Sequence, residues 1–316
     1  LPDYRVFGRN VRSQLTFPEL VSERIPEGEL DLTLERIAAP PPDPGDGAVL
    51  LGTTTIAQDV QVQLHTLGSD LILTFEDTGT FRISSRRIMW WPGEDFPEEA
   101  ARVDVKGRVI PLALHLSGLL SLHAGAVLHE GSVIGFLGPK RSGKSTLTAA
   151  MLDEGCEFVT DDVLALVPKP GDLRVRPGFP ALRLWKDSAD AIAPETDYRE
   201  EGLAGKLNVR TVPARIPGKG APLGALYVLT PELREQEYPE PVRRRLSESE
   251  ALLVMLANVK NGELLGGAEH LTVLDRAAIV ARSVPCYQLS LPRKLEALPV
   301  VARRILEWHG GGSENP

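Results

Sequence analysis

The chain has 316 residues, 42% hydrophobic and 25% charged, with a formal net charge of −8 and a pI of about 5.4. These proportions suit a folded globular protein, and the acidic balance argues against nucleic acid as a main partner, because phosphate backbones need a basic face. Two cysteines, Cys156 and Cys286, exclude a four-thiol zinc site or a disulfide scaffold; the six histidines lack an H-E-x-x-H spacing, and no apolar run approaches a membrane span.

The length allows two domains or one large one. With no signal-peptide pattern, the expected setting is the reducing cytoplasm, without a membrane partner. Leu1 is not a natural initiation residue, so a removal of residues before it is an expectation only.

Residues 1–28 are mixed, with Pro18 and Pro26 breaking any long element. Residues 30–37 alternate apolar and polar, as a half-buried strand should, and the proline-rich stretch 40–47 is a loop by composition. Residues 60–66, 70–76, 79–84 and 86–91 read as short strands, with turns at Gly68-Ser69 and Asp77-Thr78-Gly79. Residues 1–100 are therefore expected to form a small β-rich module, and 101–316 a second domain. Residues 109–122 are leucine-rich and predicted helical beyond Pro111. Residues 124–128 and 132–137 are predicted to pair around Glu130-Gly131.

Residues 138–145, Gly138-Pro139-Lys140-Arg141-Ser142-Gly143-Lys144-Ser145, fit G-x-x-x-x-G-K-[ST]. Each fixed position has a task on a polyphosphate. The glycines allow a tight turn with N–H groups facing phosphate oxygens, Lys144 reaches the β/γ-phosphates, and Ser145 holds Mg²⁺. An apolar strand pattern precedes the loop, and a helical pattern beginning with Thr146 and stopping at Gly155 follows it. The helix N-terminus adds its positive dipole end. Arg141 either touches a phosphate or points to solvent.

Residues 157–162 read as an apolar strand ending in Asp161 and Asp162, 23 and 24 positions beyond Gly138, and 163–167 as a further strand. Open α/β sheets bind ligands at strand ends. One aspartate could hold Mg²⁺ and the other accept a hydroxyl proton; alternatively, the pair simply ends a strand. Which does which is not readable, because neighbouring strand residues point to opposite faces. His123, 15 positions before the loop, either assists the aspartates or is a buried histidine bonded to backbone. Cys156 is expected to be buried packing.

Further along, 172–184 reads as a hairpin, 185–224 as loop-rich, 223–229 as a buried strand, and Arg243-Arg244-Arg245 as a solvated helix start in preference to a local basic patch. Ser247 and Glu250 form a capping box for a helix over 247–259. A helix within 268–284, a strand over 286–291, a helix over 293–308 opening after Pro292, and a flexible tail complete the chain.

The array of Leu122-His123-Ala124-Gly125-Ala126-Val127, the glycine loop, Gly155 and Thr160-Asp161-Asp162 resembles the catalytic core of the HPr kinase/phosphorylase superfamily. It is most similar to the HPr-kinase-related proteins of peptide natural-product clusters, which include kinases of lasso-peptide precursors acting on a C-terminal serine. Phe7-Gly8, Pro18-Glu19-Leu20, Leu182-Arg183-Leu184-Trp185, Lys206 and Leu226-Tyr227-Val228-Leu229 extend the likeness.

The resemblance implies an α/β fold: a P-loop, PEP-carboxykinase-like core with a mixed sheet. It implies ATP (or another nucleoside triphosphate) and Mg²⁺ as cofactors. It assigns Lys144 to the donor phosphates, Ser145 to the metal, Asp161 and Asp162 to metal contact and catalysis, and His123 to assistance. Arg183 and Lys206 become candidate anion contacts. The implied partners are a nucleotide and a precursor peptide or other hydroxyl acceptor; the family's hexamers raise a homo-oligomer, for which the sequence shows no interface. Pro139, Lys140 and Arg141 depart from the small residues usual inside the family's loop. Three functions stay open: a kinase for a peptide serine, a kinase for free serine or a similar small molecule, and a non-catalytic nucleotide-binding regulator.

Overall fold

A computed structural model describes the chain except for residues 40, 42–44, 46, 57–58, 95–96, 187–188, 191–198, 202–205, 217–218, 231–239, 292–293 and 311–316. Much of the proline-rich loop, Pro292 and the tail therefore lie outside the described residues. The fold is mixed α/β with a large share of sheet.

The first sheet has eight strands: β1 (Asp3–Val6), β2 (Arg9–Ser13), β3 (Leu32–Arg36), β4 (Val49–Thr55), β5 (Gln61–Leu67), β6 (Asp70–Phe75), β7 (Gly79–Ile83) and β8 (Arg87–Pro92). Their order is β1-β2-β3-β8-β7-β6-β5-β4. The β5–β8 meander follows the alternation of apolar residues in the sequence. Three strands, β1, β2 and β4, lie outside the sequence expectation. The β1–β2 hairpin is short and turns on Phe7 and Gly8, both at positive φ, and β4 is an exposed edge with little alternation. Asp3 anchors the hairpin. Its carboxylate binds the Arg12 guanidinium at 2.7 Å and also accepts the Ile25 amide, which together hold its pKa below the usual value despite burial.

A helical run connects the sheets: α1 (Glu98–Asp104), a π-helical turn (Val105–Val109) and α2 (Ile110–Leu116). The helix thus starts and ends earlier than the sequence pattern indicates, and residues 120–122 are already strand. Pro111 explains the wide turn: it has no N–H for the Gly107 carbonyl and its ring crowds that carbonyl. The neighbouring Ile110 amide instead reaches back five residues to Val105. The run is tied to the first sheet by Lys106 to Glu19 at 2.6 Å and by the Thr78 hydroxyl to Asp104 at 2.7 Å. Burial and the nearby Asp77 push the Asp104 carboxyl up to about 6, against the lowering effects of Thr78 and Arg108.

The second sheet is built from β9 (Leu120–His129), β10 (Ser132–Leu137), β11 (Glu157–Thr160), β12 (Val163–Val167), β13 (Arg174–Arg176), β17 (Ala221–Leu229), β18 (Val242–Arg245) and β19 (Cys286–Ser290). Strand β10 is antiparallel to β9 and parallel to β17, and β17 is parallel to β19, so the sheet is mixed. The β9–β10 hairpin turns on Glu130 and Gly131, both at positive φ, where the sequence predicts it. A small antiparallel sheet holds β14 (Ala181–Trp185), β15 (Arg199–Glu201) and β16 (Lys206–Arg210). The expected 172–184 hairpin does not form: β13 pairs with β12 and β17, while β14 pairs with β16.

Helices α3 (Lys144–Asp153), α4 (Glu248–Ala257), α5 (Gly267–Ser283) and α6 (Leu298–Gly310) complete the described fold. Helix α4 carries the predicted reciprocal Ser247–Glu250 capping box. Helices α3 and α6 cover one face through Leu147, Met151, Val301 and Ile305, packed on Phe136 and Tyr227. Arg243-Arg244-Arg245 is a correction, for these residues form strand β18 rather than the start of a helix. Arg243 stacks over the rings of Tyr287 and Trp308, at 4.8 and 4.7 Å from their centroids, which offsets the cost of placing a cation on the apolar face. Cys156 is buried, as expected, and so is Cys286. Among the described residues no helix is long and apolar enough to cross a membrane.

Candidate functional site

The glycine loop lies between the end of β10 and the start of α3. Gly138 (φ 145°), Arg141 (φ 66°) and Gly143 (φ 94°) take positive φ, which folds residues 138–143 into a tight cup. A Cβ on Gly138 would lie 2.8 Å from both the Leu229 carbonyl oxygen and Ser142 Oγ, so only glycine fits there. The first internal bond of α3 runs from the Leu147 amide to the Gly143 carbonyl. The earlier amides and the positive helix end therefore face the loop.

Lys144 is buried, and its ammonium donates to the Gly138 carbonyl at 2.7 Å and the Pro139 carbonyl at 2.9 Å. Ser142 Oγ is buried without a hydrogen-bond partner among the described atoms. A buried cation, an orphaned hydroxyl and a helix N-terminus in one cup are chemically suited to a phosphate. Ser145 and Thr146 occupy the first turn of α3, both part-exposed. Lys140 is exposed. Arg141 is also exposed, with its guanidinium 5.5 Å from the centroid of the Trp185 ring.

Register places His123 beside this loop. Leu137 pairs with Ala124, so the next rung sets His123 against Gly138; on the other side, His123 pairs with Val163. His123 Nδ1 lies 2.9 Å from Oδ1 of Asp162 and 3.3 Å from the Asp162 carbonyl oxygen. A carboxylate only accepts, so Nδ1 carries a proton. The two aspartates diverge after β11. Asp162 is about one-third exposed and receives Lys260 Nζ on Oδ2 at 2.9 Å. Asp161 is buried and accepts the Arg183 amide on Oδ2 at 2.8 Å. Arg183 thus reaches the site through its backbone. Lys206 lies in β16, with its side chain outside the described residues.

Desolvation alone would raise the Asp162 pKa. The Lys260 charge and the His123 and Lys260 hydrogen bonds outweigh it and hold the carboxyl well below the usual carboxylate range. The group is therefore an ionised, oriented acceptor at neutral pH.

Lys260 and Asn258 are absent from the sequence reading. Asn258 follows α4; its side-chain oxygen accepts the Gly138 amide at 3.2 Å, and its carbonyl accepts the His123 amide at 2.7 Å. The Asn258–Lys260 turn therefore ties the loop to the His123–Asp162 pair from about 100 residues away. A polar residue just after a helix looks like an ordinary cap, so no local signal marks either residue.

No group of three or more His, Cys, Asp or Glu side chains among the described residues could hold a metal by itself. A nucleotide-borne Mg²⁺ needs only one or two protein oxygens, because phosphates and waters supply the rest. Ser145 and the aspartates are oxygen donors of the type such a metal takes.

No family model matches the chain, and no curated protein matches it. Among solved structures, the chain is similar to the HPr(Ser) kinase/phosphatase from Coxiella burnetii at 14% identity and a TM-score of 0.30, over 60% of this chain and 99% of that one. A likeness this loose carries no functional argument.

Proposed function

We propose that the chain is an ATP-dependent kinase that transfers the γ-phosphoryl group to a hydroxyl, most specifically a serine of a lasso-type precursor peptide. The single observation that carries this reading is the location of the His123–Asp162–Lys260 cluster one rung from the first glycine of the phosphate-type loop. The resemblance of the motifs to HPr-kinase-related proteins supports the peptide serine as acceptor.

In this reading, the cup of residues 138–146 holds the donor phosphates, with Lys144 leaving its two carbonyls to bind them. Ser145 and Asp161 would hold Mg²⁺, which would neutralise phosphate charge when bound. Asp162 accepts the hydrogen bond of the acceptor hydroxyl, and His123 and Lys260 fix its rotamer. The acceptor oxygen bonds to the γ-phosphorus, the bond from that phosphorus to the β–γ bridging oxygen breaks, the proton passes to Asp162, and the nucleoside diphosphate leaves. A low-pKa carboxylate serves mainly to align the hydroxyl and takes the proton late, as suits a loose phosphoryl-transfer transition state. The β-rich N-terminal module and the 185–224 region would bind the acceptor.

Incubation with Mg-ATP and a synthetic peptide ending in serine tests this function by mass spectrometry. The expected product gains one phosphate on the terminal serine. Phosphate appearing in free serine but not in the peptide would move the acceptor to the small-molecule class. Bound nucleotide with no transfer to either acceptor would favour a regulator.

A further inference from the structure

The geometry points to Gly107 as the residue that opens the acceptor's route to Asp162; this inference rests on the kinase reading above. Gly107 is the middle residue of the π-helical turn between α1 and α2. A Cβ built on it would lie 3.7 Å from Asp162 Oδ2 and, its own helical backbone and chain neighbours aside, meet no other described atom within 4 Å. The absent side chain therefore leaves open space directly against the one-third-exposed carboxylate. Two locally unfavourable features coincide there. Glycine inside a helix costs stability relative to alanine, and a π turn is rare and concentrates at functional sites.

The flanking side chains are pinned away from the gap. Lys106 is held by Glu19, while Arg108 is held by Asn261 at 3.2 Å and Glu263 at 2.9 Å. Of the carboxylate oxygens, Oδ1 is bound by His123 and Oδ2 by Lys260, and it is Oδ2 that Gly107 lies against. Oδ2 of Asp162 thus lies beside the π turn that leads from the first sheet to the second. A hydroxyl presented on a slim extended segment, such as a terminal serine, fits an opening made by one missing side chain.

Gly107→Ala and Gly107→Leu test this, with a serine-ending synthetic peptide and free L-serine as acceptors. The alanine methyl would make an ordinary contact with Asp162 and suits a helix, so this variant should melt at or above the wild-type temperature. The expected result is an unchanged affinity for Mg-ADP, with an acceptor KM raised severalfold in the alanine variant and at least about tenfold in the leucine variant, a loss of more than 1.4 kcal/mol. A purely structural role would instead lower the melting temperature and nucleotide affinity together. Wild-type acceptor kinetics in both variants would overturn the inference while leaving the kinase reading intact. If the unaltered protein transfers phosphate to no hydroxyl, the reading fails first, and this assignment with it. Should the leucine variant not fold, the alanine variant decides.

Discussion

Asp162→Asn is expected to lower kcat for phosphoryl transfer by about 10²–10⁴-fold, the usual range for a positioned proton-accepting group. Asparagine keeps the shape but loses the charge that orients the hydroxyl. Nucleotide affinity should change little, since Asp162 contacts His123 and Lys260 rather than the loop. The substitution also leaves Lys260, 14% exposed, without its anion. A stability loss of about 1–3 kcal/mol is therefore expected, discounted from the fully buried case because the carboxylate is one-third exposed. Melting temperature, Mg-ADP titration and single-turnover transfer separate these effects; near-wild-type transfer would remove the assigned role.

The same carboxyl fixes the sign of the pH dependence. Its folded pKa is depressed, so its ionised form and the stability of its pairings are present above the unfolded value, near 3.8, and are lost only as pH falls through the lower folded value. Between pH 5 and 8, Asp162 should therefore add no acid limb to the transfer rate.

Lys144→Met is the second large effect. In the free protein its ammonium bonds two loop carbonyls, and its burial leaves little room for another residue to replace the charge. A hydrogen bond to a charged group contributes about 1.5–3 kcal/mol, so nucleotide affinity should weaken roughly 10–150-fold. Methionine preserves the stem volume, which keeps the test on charge. Transfer should fall further than binding, because the lysine also meets charge as the phosphoryl group moves. Isothermal titration with Mg-ADP and transfer at saturating nucleotide read the two parts; unchanged affinity would place the phosphates elsewhere.

The glycine loop, its flanking strand and helix, and the β9–β10 turn were legible because each depends on neighbours in sequence: positive-φ glycines, an apolar run, a helix start. The Ser247 capping box was legible for the same reason. The β1–β2 hairpin and edge strand β4 were not, because their pairing partners rather than their own patterns make them strands. The helix over 98–116 was placed too late in the chain, because Pro111 reads as a helix start while the π turn absorbs its disruption. At the site, His123 and the aspartates could be singled out, but their division of labour could not. Only the fold turns Asp161 to the Arg183 amide and Asp162 to Lys260. Lys260 and Gly107 carry no motif; their positions beside Asp162 arise from chain segments about 100 and 55 residues away.

The most direct test of the central claim is a crystal structure of the protein with Mg-ADP. The β-phosphate should lie against the amides of residues 138–145, with Lys144 Nζ withdrawn from the Gly138 and Pro139 carbonyls and Asp162 facing the vacant γ position. A diphosphate bound away from this loop, with Lys144 still on its two carbonyls, would contradict the account.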